Sequence, residues 1–341
     1  MTVGIIGLGY WGPNLVRNFL AQEEVTKVIA CDVVPERLKF VKAKYPAAEL
    51  SDNWKDLLKS DVDIIVIATP VESHYKFSKE ALLAGKHVWV EKPFTSTSAQ
   101  AEELIEIAER KNLKIFVDHT FIYTGAVRKM KELADSGELG KILYFDSVRI
   151  NLGIFQKDIN VTWDLAPHDL SIMNYVLGDT HKVAAVSANG IANYNGKENI
   201  AHLSVYFEDN CFAHFHVNWT SPVKIRKMIV GGDKKMLVFD DMENFEKIKV
   251  YNSGIEMKTV ESIHEALVQY RTGDMYSPKV NQTEALSLGA KEFIDAIKQN
   301  RQPLTDGRQG LAVVKILEAS DESIRNRGRL VEIKSNELIG V

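Results

Sequence analysis

The sequence predicts an α/β protein of two domains. A parallel sheet with alternating helices spans residues 1–120. An α+β domain over residues 121–341 follows, built on a large, open, mostly antiparallel sheet. Two observations carry this. Strand-length apolar runs alternate with helical stretches from Val3 to Asp118, as helical crossovers between parallel strands require. After Thr120 the alternation stops, and from Lys182 to Val250 strand-like runs succeed one another without helices between them, which suggests antiparallel pairing.

Composition narrows the class. The chain has 341 residues, 45% apolar and 26% charged, as expected of a soluble globular protein of about two domains. A formal net charge of -4 without a basic block argues against nucleic-acid binding. Two cysteines, Cys31 and Cys211, imply no disulfide framework and a reducing compartment. Neither a secretory leader nor an apolar run of about 18 residues is visible, so a cytoplasmic protein with no membrane partner is expected. Asn160-Val-Thr and Asn218-Trp-Thr match the glycosylation pattern, but without a leader they read as chance matches.

The first strand, from Val3, runs straight into Gly7-Leu-Gly9-Tyr10-Trp11-Gly12, and a helix continues over Asn14–Leu20. That strand–turn–helix context turns a weak G-x-G-x-x-G match into the fingerprint of a Rossmann dinucleotide-binding domain. Gly7 permits the turn, Gly9 lets the backbone approach a pyrophosphate, and Gly12 allows close helix packing. The helix N-terminus offers its positive end to the phosphates. A second strand, Lys27–Cys31, ends in Asp32, where an acid accepts hydrogen bonds from the ribose hydroxyls and favours NAD over NADP. Arg37, nearby, softens that discrimination.

Helices over Pro35–Tyr45 and Trp54–Ser60 and a buried strand, Asp63–Ala68, follow. Thr69 and Pro70 end that strand, in position to flank the nicotinamide riboside. Ser73 is expected to N-cap the next helix, through Ala84, and Gly85 to C-cap it. The strand Val88-Trp89-Val90 stops at Glu91-Lys92-Pro93. Pro93 cannot continue a central strand and permits a cis bond. The Glu-Lys pair thus sits at the carboxyl end of a parallel strand, where open α/β sheets bind ligands. A helix, Ser98–Lys111, and a strand, Lys114–Asp118, follow; five of the six expected strands are thereby placed. Beyond them lie a helix, Ala126–Asp135, and strands Lys141–Ile150, Ala201–Phe207, Phe212–Trp219 and Lys224–Val230. Two helices, Glu284–Gln299 and Gly307–Asn326, then precede a strand at Arg329–Glu332.

Taken together, Gly-Leu-Gly-Tyr-Trp-Gly, Asp32, Ala68-Thr69-Pro70, Glu91-Lys92-Pro93 and Asp164-Leu-Ala-Pro-His168 resemble the glucose–fructose oxidoreductase / inositol dehydrogenase (Gfo/Idh/MocA) family along the whole chain. The resemblance implies an NAD(P)-dependent enzyme acting on CH–OH groups of sugars, with Lys92, Asp164 and His168 catalytic. It also implies cofactor contacts at Tyr10, Trp11, Thr69, Pro70, His74, Glu91 and Lys92, and substrate contacts at Tyr123 and Trp163. The open sheet implies a homo-oligomer, dimer or tetramer, since a bare apolar face is a liability. The C-terminal helix is expected to pack back on the first domain. The chain departs from the family at Asn160-Val-Thr-Trp163, where many members have glycines, and at Ile122 and Gly125, where many have Arg and Pro. The stretches Trp163–Ser171 and Trp219–Arg226 are similar to members of bacterial surface-polysaccharide synthesis. These oxidise C3 of a nucleotide-linked N-acetylated sugar, which points to UDP-N-acetylglucosamine or its uronic acid.

Asp164 and His168, four apart, share one face of a helix. Asp164 at the helix start, with Pro167 in the first turn, would place His168 near the positive helix end and keep it a neutral base. A capping Asp and a His bound to a carbonyl is the purely structural alternative. Lys92 would donate to the reacting oxygen; Glu91 either orients Lys92 or lines the nicotinamide pocket. No metal is required. His214-Phe-His216 has a spacing that a metal can use, but an edge or interface strand explains it better. Lys224 and Arg226 suit either a diphosphate or a solvated sheet face. The rival functions are an NADP-dependent reductase of a 3-keto deoxysugar nucleotide, a free-polyol dehydrogenase and a non-catalytic dinucleotide sensor.

Overall fold

The computed structural model describes residues 1–333 apart from 60, 154, 157, 195 and 259–266. The chain divides into two compact units: residues 1–123 with 283–318, and residues 124–282 with those from 319 on. The expected cut at 120/121 therefore falls at Tyr123/Thr124, and the first unit is discontinuous in sequence.

The first unit carries strands β1 (Thr2–Ile6), β2 (Lys27–Cys31), β3 (Glu49–Ser51), β4 (Ile64–Ile67), β5 (His87–Glu91) and β6 (Ile115–Asp118). They lie in the order β3-β2-β1-β4-β5-β6, and every pair is parallel. The order reverses between β1 and β4, the switch point at which such sheets bind ligands. All four residues of β4 are buried, which explains a strand with no polar alternation. The sixth strand is β3, a three-residue edge strand without a sequence signature. Helices α1 (Gly12–Leu20), α2 (Pro35–Lys44), α3 (Trp54–Lys59), α4 (His74–Leu83) and α5 (Ser98–Arg110) make the crossovers. The expected end of α3, Ser60, lies outside the described residues. Ser73 does not cap α4 with its side chain; its hydroxyl bonds Pro70 O at 2.7 Å. Gly85 follows the C-cap Ala84 at φ +79°, a left-handed position glycine takes without strain.

The second unit opens with α6 (Gly125–Asp135), β7 (Ile142–Leu152) and α7 (Val161–Leu177). The strands β8 (Val183–Ile191), β9 (Ile200–Phe207), β10 (Phe212–Asn218), β11 (Thr220–Gly232), β12 (Met236–Asp240) and β13 (Ile248–Tyr251) follow. After a separate pair, β14 (Gly254–Lys258) and β15 (Leu267–Arg271), come β16 (Met275–Tyr276) and β17 (Val331–Glu332). Nine of them form one sheet, β16-β13-β12-β11-β7-β10-β9-β8-β17, antiparallel except for β10 beside β7. Alternate residues of β10 are buried, and α7 packs on β7 and β10. The other face exposes Leu152, Ile191 and Tyr206. β10 is interior, so His214 and His216 are not on an edge strand.

Two helices close the chain, α8 (Ala285–Lys298) and α9 (Gly307–Arg325). α8 joins the first unit because its apolar face covers an aromatic cluster. Trp89 stacks on Phe116 at 3.8 Å, and Phe293 meets both rings at 6.0 and 5.3 Å. A Cβ at Gly289 would come within 3.2 Å of Trp89 and 3.3 Å of Phe116, so glycine sets this close approach. The Arg17–Glu284 pair beside α8 is nearly half exposed and contributes at most about 1 kcal/mol. Burial of Phe293 and Ile294, about 1.5–3 kcal/mol each, decides the docking.

α7 starts earlier than expected. Asn160 is its N-cap, accepting from Trp163 N at 3.1 Å. Pro167 therefore lies inside the helix, not in the first turn, and Asp164 is not the cap. One turn past it, Asp169 is fully buried against the sheet. Its carboxylate accepts from Arg149 Nε at 2.7 Å and Ser147 Oγ at 2.6 Å, both on β7. This buried charge pair fixes the rotation of α7 on the sheet. Removing one partner strands a charge, so Arg149→Met should cost about 3–5 kcal/mol, and Arg149→Met/Asp169→Leu should recover most of it. Urea unfolding monitored by fluorescence checks this; an Arg149→Met variant as stable as the wild type would exclude the anchoring role.

Candidate active site

The glycine turn follows β1 at the switch point. At Gly7, φ is +97° and a Cβ would lie 2.6 Å from Ala68 O; at Gly12 it would lie 2.2 Å from Gly7 O. Packing alone forbids side chains at both. At Gly9 a Cβ would meet nothing within 4 Å, so the open space there is available to a ligand rather than used by the fold. α1 begins with Pro13 in its first turn and no acid there, leaving its amides to an anion. Tyr10 and Trp11 are exposed beside it, their rings edge to face at 5.4 Å.

Asp32 follows β2. Its Oδ2 accepts from Leu8 N at 2.7 Å and its Oδ1 from Val34 N at 2.8 Å, with Arg37 Nη1 3.3 Å from Oδ2. The carboxylate is thereby oriented, with lone pairs left for ribose hydroxyls. The open space at Gly9, the acid-free helix end and the held carboxylate fit a dinucleotide.

Two strands from β1, β5 ends in Glu91, and the Lys92–Pro93 bond is cis. Thr69 Oγ1 and Ser73 Oγ are 2.6 Å apart after β4. His74, buried at the start of α4, has Nδ1 2.9 Å from Pro93 O and Nε2 2.9 Å from Thr69 O, tying the β4 and β5 ends together. Pro70 is exposed. Burial lowers the His74 pKa, against the pull of the two carbonyls.

The Lys92 surroundings include two residues that sequence reasoning missed. Asp118, at the end of β6, is in register with Glu91 and 2% exposed. Burial pushes both carboxyls up, that of Asp118 to about 6. Asp118 Oδ1 also accepts from Thr120 Oγ1 at 2.5 Å. His119 is buried, neither ring nitrogen has a hydrogen-bond partner, and burial brings its pKa down to about 3. A signal existed: Ile115-Phe-Val-Asp118 ends in an acid just as Val88-Trp-Val-Glu91 does. Parallel register makes such ends neighbours.

In the second unit Asp164 and His168 are half-buried on one face of α7. Asp164 Oδ2 accepts from Nε1 of fully buried Trp219 at 3.0 Å, which orients the carboxylate. His168 is the eighth helical residue, two turns from the start. The expected dipole effect fades within the first turn, so it does not account for a neutral imidazole. Trp163 Nε1 donates to Asp321 Oδ2 at 2.7 Å, and Asp321 Oδ1 also accepts from Asn160 Nδ2 at 3.0 Å. That indole is engaged in holding the helix start.

Tyr123, in the first unit, is 1% exposed, with its hydroxyl 3.2 Å from Thr305 Oγ1. Arg226 Nη1 lies 3.5 Å from Asp241 Oδ2, and Lys224 is exposed. The rings of His202 and His216 stack at 4.2 Å, with His214 5.6 Å from His202. Among the described residues no group of three or more His, Cys, Asp or Glu has metal-holding geometry.

Residues 1–119 match the oxidoreductase family with an NAD-binding Rossmann fold, and residues 127–238 match the GFO/IDH/MocA C-terminal domain. The chain is 34% identical over 149 residues to 1-carboxy-3-chloro-3,4-dihydroxycyclo hexa-1,5-diene dehydrogenase of Comamonas testosteroni, covering 43% of this chain and 38% of that protein. It is 30% identical over 194 residues to inositol 2-dehydrogenase of Salmonella typhimurium, covering 54% and 57%. The chain thus spans between a third and three fifths of these two relatives' lengths. UDP-N-acetylglucosamine 3-dehydrogenase of Acidithiobacillus ferrooxidans is 24% identical over 318 residues, covering 92% and 94%. A solved structure of that protein superposes with a TM-score of 0.79 at 23% identity, covering 96% and 98%, which shows a shared fold. With both family domains matched in order along one chain, the protein belongs to the Gfo/Idh/MocA oxidoreductase family.

Proposed function

We propose that the protein is an NAD-dependent dehydrogenase that oxidises a secondary hydroxyl, at C3, of a nucleotide-linked sugar, UDP-N-acetylglucosamine or its uronic acid. The observation that carries the reading is Lys92 at the carboxyl end of β5, in the sheet whose switch point holds the glycine turn. Family membership and the likeness to the Acidithiobacillus enzyme support the substrate class.

NAD supplies the hydride acceptor. The chain does the rest. His168 takes the hydroxyl proton as the C–H hydride leaves, so the alcohol becomes a ketone and the imidazole an imidazolium. Lys92 donates a hydrogen bond to the reacting oxygen and stabilises its alkoxide character. Asp164, held by Trp219, holds the substrate hydroxyl. Cytoplasmic action in surface-polysaccharide or amino-sugar synthesis, with no nucleic-acid or membrane partner, completes the reading. A homo-oligomer through the exposed face of the nine-stranded sheet also belongs to it, supported by the apolar side chains there.

A panel of UDP- and dTDP-sugars and free polyols, assayed for NADH formation, should show turnover on a UDP-N-acetylated sugar. Lys92→Ala and His168→Ala should each lose it by orders of magnitude while still binding NADH. Activity on free polyols alone would refute the nucleotide-sugar reading, and near-normal turnover in both variants the mechanism. Arg37 beside Asp32 favours a second reading on cofactor choice: Asp32→Ser removes the charge that repels a 2′-phosphate and releases Arg37 to bind it. The variant's NADPH-to-NADH affinity ratio should rise by roughly 10- to 100-fold, the worth of one or two charged hydrogen bonds; an unchanged ratio would exclude Asp32 as the discriminator. Light scattering should give at least twice the monomer mass, and an Ile191→Lys/Tyr206→Glu variant should dissociate; a monomeric wild type would end the oligomer proposal.

A further inference from the structure

An aromatic series leads away from Asp164 past the end of β7. Trp219, whose indole N–H holds Asp164, also meets Phe155 at 5.6 Å between ring centroids, with the planes inclined at 56°. Phe155 in turn meets Tyr194 edge to face at 5.5 Å. Burial falls along the series: Trp219 is fully buried, Phe155 is 36% exposed and Tyr194 71%. The inner ring needs a glycine beside it. A Cβ at Gly153 would lie 2.3 Å from the Trp219 ring, and Gly153 N donates to Trp219 O at 2.9 Å.

The two outer rings come from different loops, Phe155 from between β7 and α7 and Tyr194 from between β8 and β9. Those loops are tied together. Lys197 Nζ donates to Asp158 O at 2.8 Å, Asn160 Nδ2 to Glu198 Oε2 at 3.2 Å, and Val161 N to Glu198 O at 2.9 Å. Trp219 N donates to Asn199 O at 2.9 Å, which joins the inner ring to the second loop. The fold thus fixes two loops whose aromatic rings stay open to water, where they add little to the core. A rigid aromatic surface beside a held carboxylate is the form a ligand subsite takes.

Position and chemistry select the occupant. The shelf lies one ring contact beyond the indole that holds Asp164, so the reacting sugar comes before it. A diphosphate is charged and gains nothing from apolar rings. The nucleobase is the part with a flat, uncharged face, and an aromatic pair grips that face without reading the base edge. We propose that Phe155 and Tyr194 form the stacking shelf for the nucleobase of a nucleotide-linked substrate. The proposal rests on the nucleotide-sugar reading, in which Asp164 holds a hydroxyl of the reacting sugar.

Tyr194, the most exposed of the three rings, is the side chain to remove first. Tyr194→Ala should raise the KM for UDP-N-acetylglucosamine roughly 10- to 100-fold with kcat within about twofold, the mark of binding shared by ground and transition states. Tyr194→Phe keeps the ring and should restore the KM. Phe155→Leu keeps an apolar side chain but no π-face, and should behave as Tyr194→Ala does. UDP alone, added to the NADH-loaded protein and followed by equilibrium dialysis, should bind more weakly to both variants by a similar factor. Turnover of a UDP-sugar with an unchanged KM in both variants would overturn the shelf and leave the function standing. Variants that turn monomeric in light scattering with an unchanged KM would overturn it too, since the rings would then belong to a contact between copies. If no nucleotide sugar is turned over, the functional reading falls and UDP dialysis alone decides the shelf. Equal UDP binding by wild type and variants, or none by the wild type, would then overturn it.

Discussion

The double pairing of β1, by β2 on one side and β4 on the other, is the constraint on which the first unit depends. It makes the chain reverse direction of winding at β1 and opens the sheet at one point only. The tight turn after β1 must clear Ala68 O and Gly7 O, which is why Gly7 and Gly12 have no alternative. The same order brings Asp32, Thr69, Glu91 and Asp118 to one end of the sheet, because parallel strands all deliver their last residues to the same edge. Asp32, Thr69 and Lys92 thus lie one or two residues past a strand end, and Glu91 and Asp118 are the last residues of theirs.

Burial does the electrostatic work there. A carboxyl pair in water would ionise fully and repel, at little cost. At the ends of β5 and β6, with Trp89 and Phe116 stacked behind them, a second negative charge costs several times more. The imidazoles His74 and His119 answer to the same penalty in the opposite sense, so burial favours neutral rings close to Lys92. The second unit uses a different device. Asp169 and Arg149 are buried as ions, fully paired, and their value lies in orientation. A helix that slid or rotated on the sheet would break them, so the neighbouring Asp164 and His168 keep one presentation.

Much of this was legible before folding. The glycine spacing, Asp32, the Pro93 stop and the period-two runs each reflect a local backbone demand, and local demands leave local patterns. The start of α7 was misplaced because Asn160 and Asp164 are both good caps; what decides between them is which residues the sheet buries, and Thr162 and Trp163 are buried. Of the two readings of His214-Phe-His216, edge or interface strand, the edge fell for a similar reason: a polar face looks the same on an edge as on one side of an interior strand.

The sequence by itself determined the two-domain α/β plan and the dinucleotide turn, and it singled out Lys92, Asp164 and His168 as candidates, since the motifs that carry them are each a few residues long. Only the tertiary structure decided that residues 283–318 belong with the first unit, that Trp219 holds Asp164, that Arg149 pairs with Asp169, and that Asp118 lies beside Glu91. Those are contacts between residues tens to hundreds of positions apart. They depend on strand order and helix docking, which buried area and register select and no short stretch of sequence encodes.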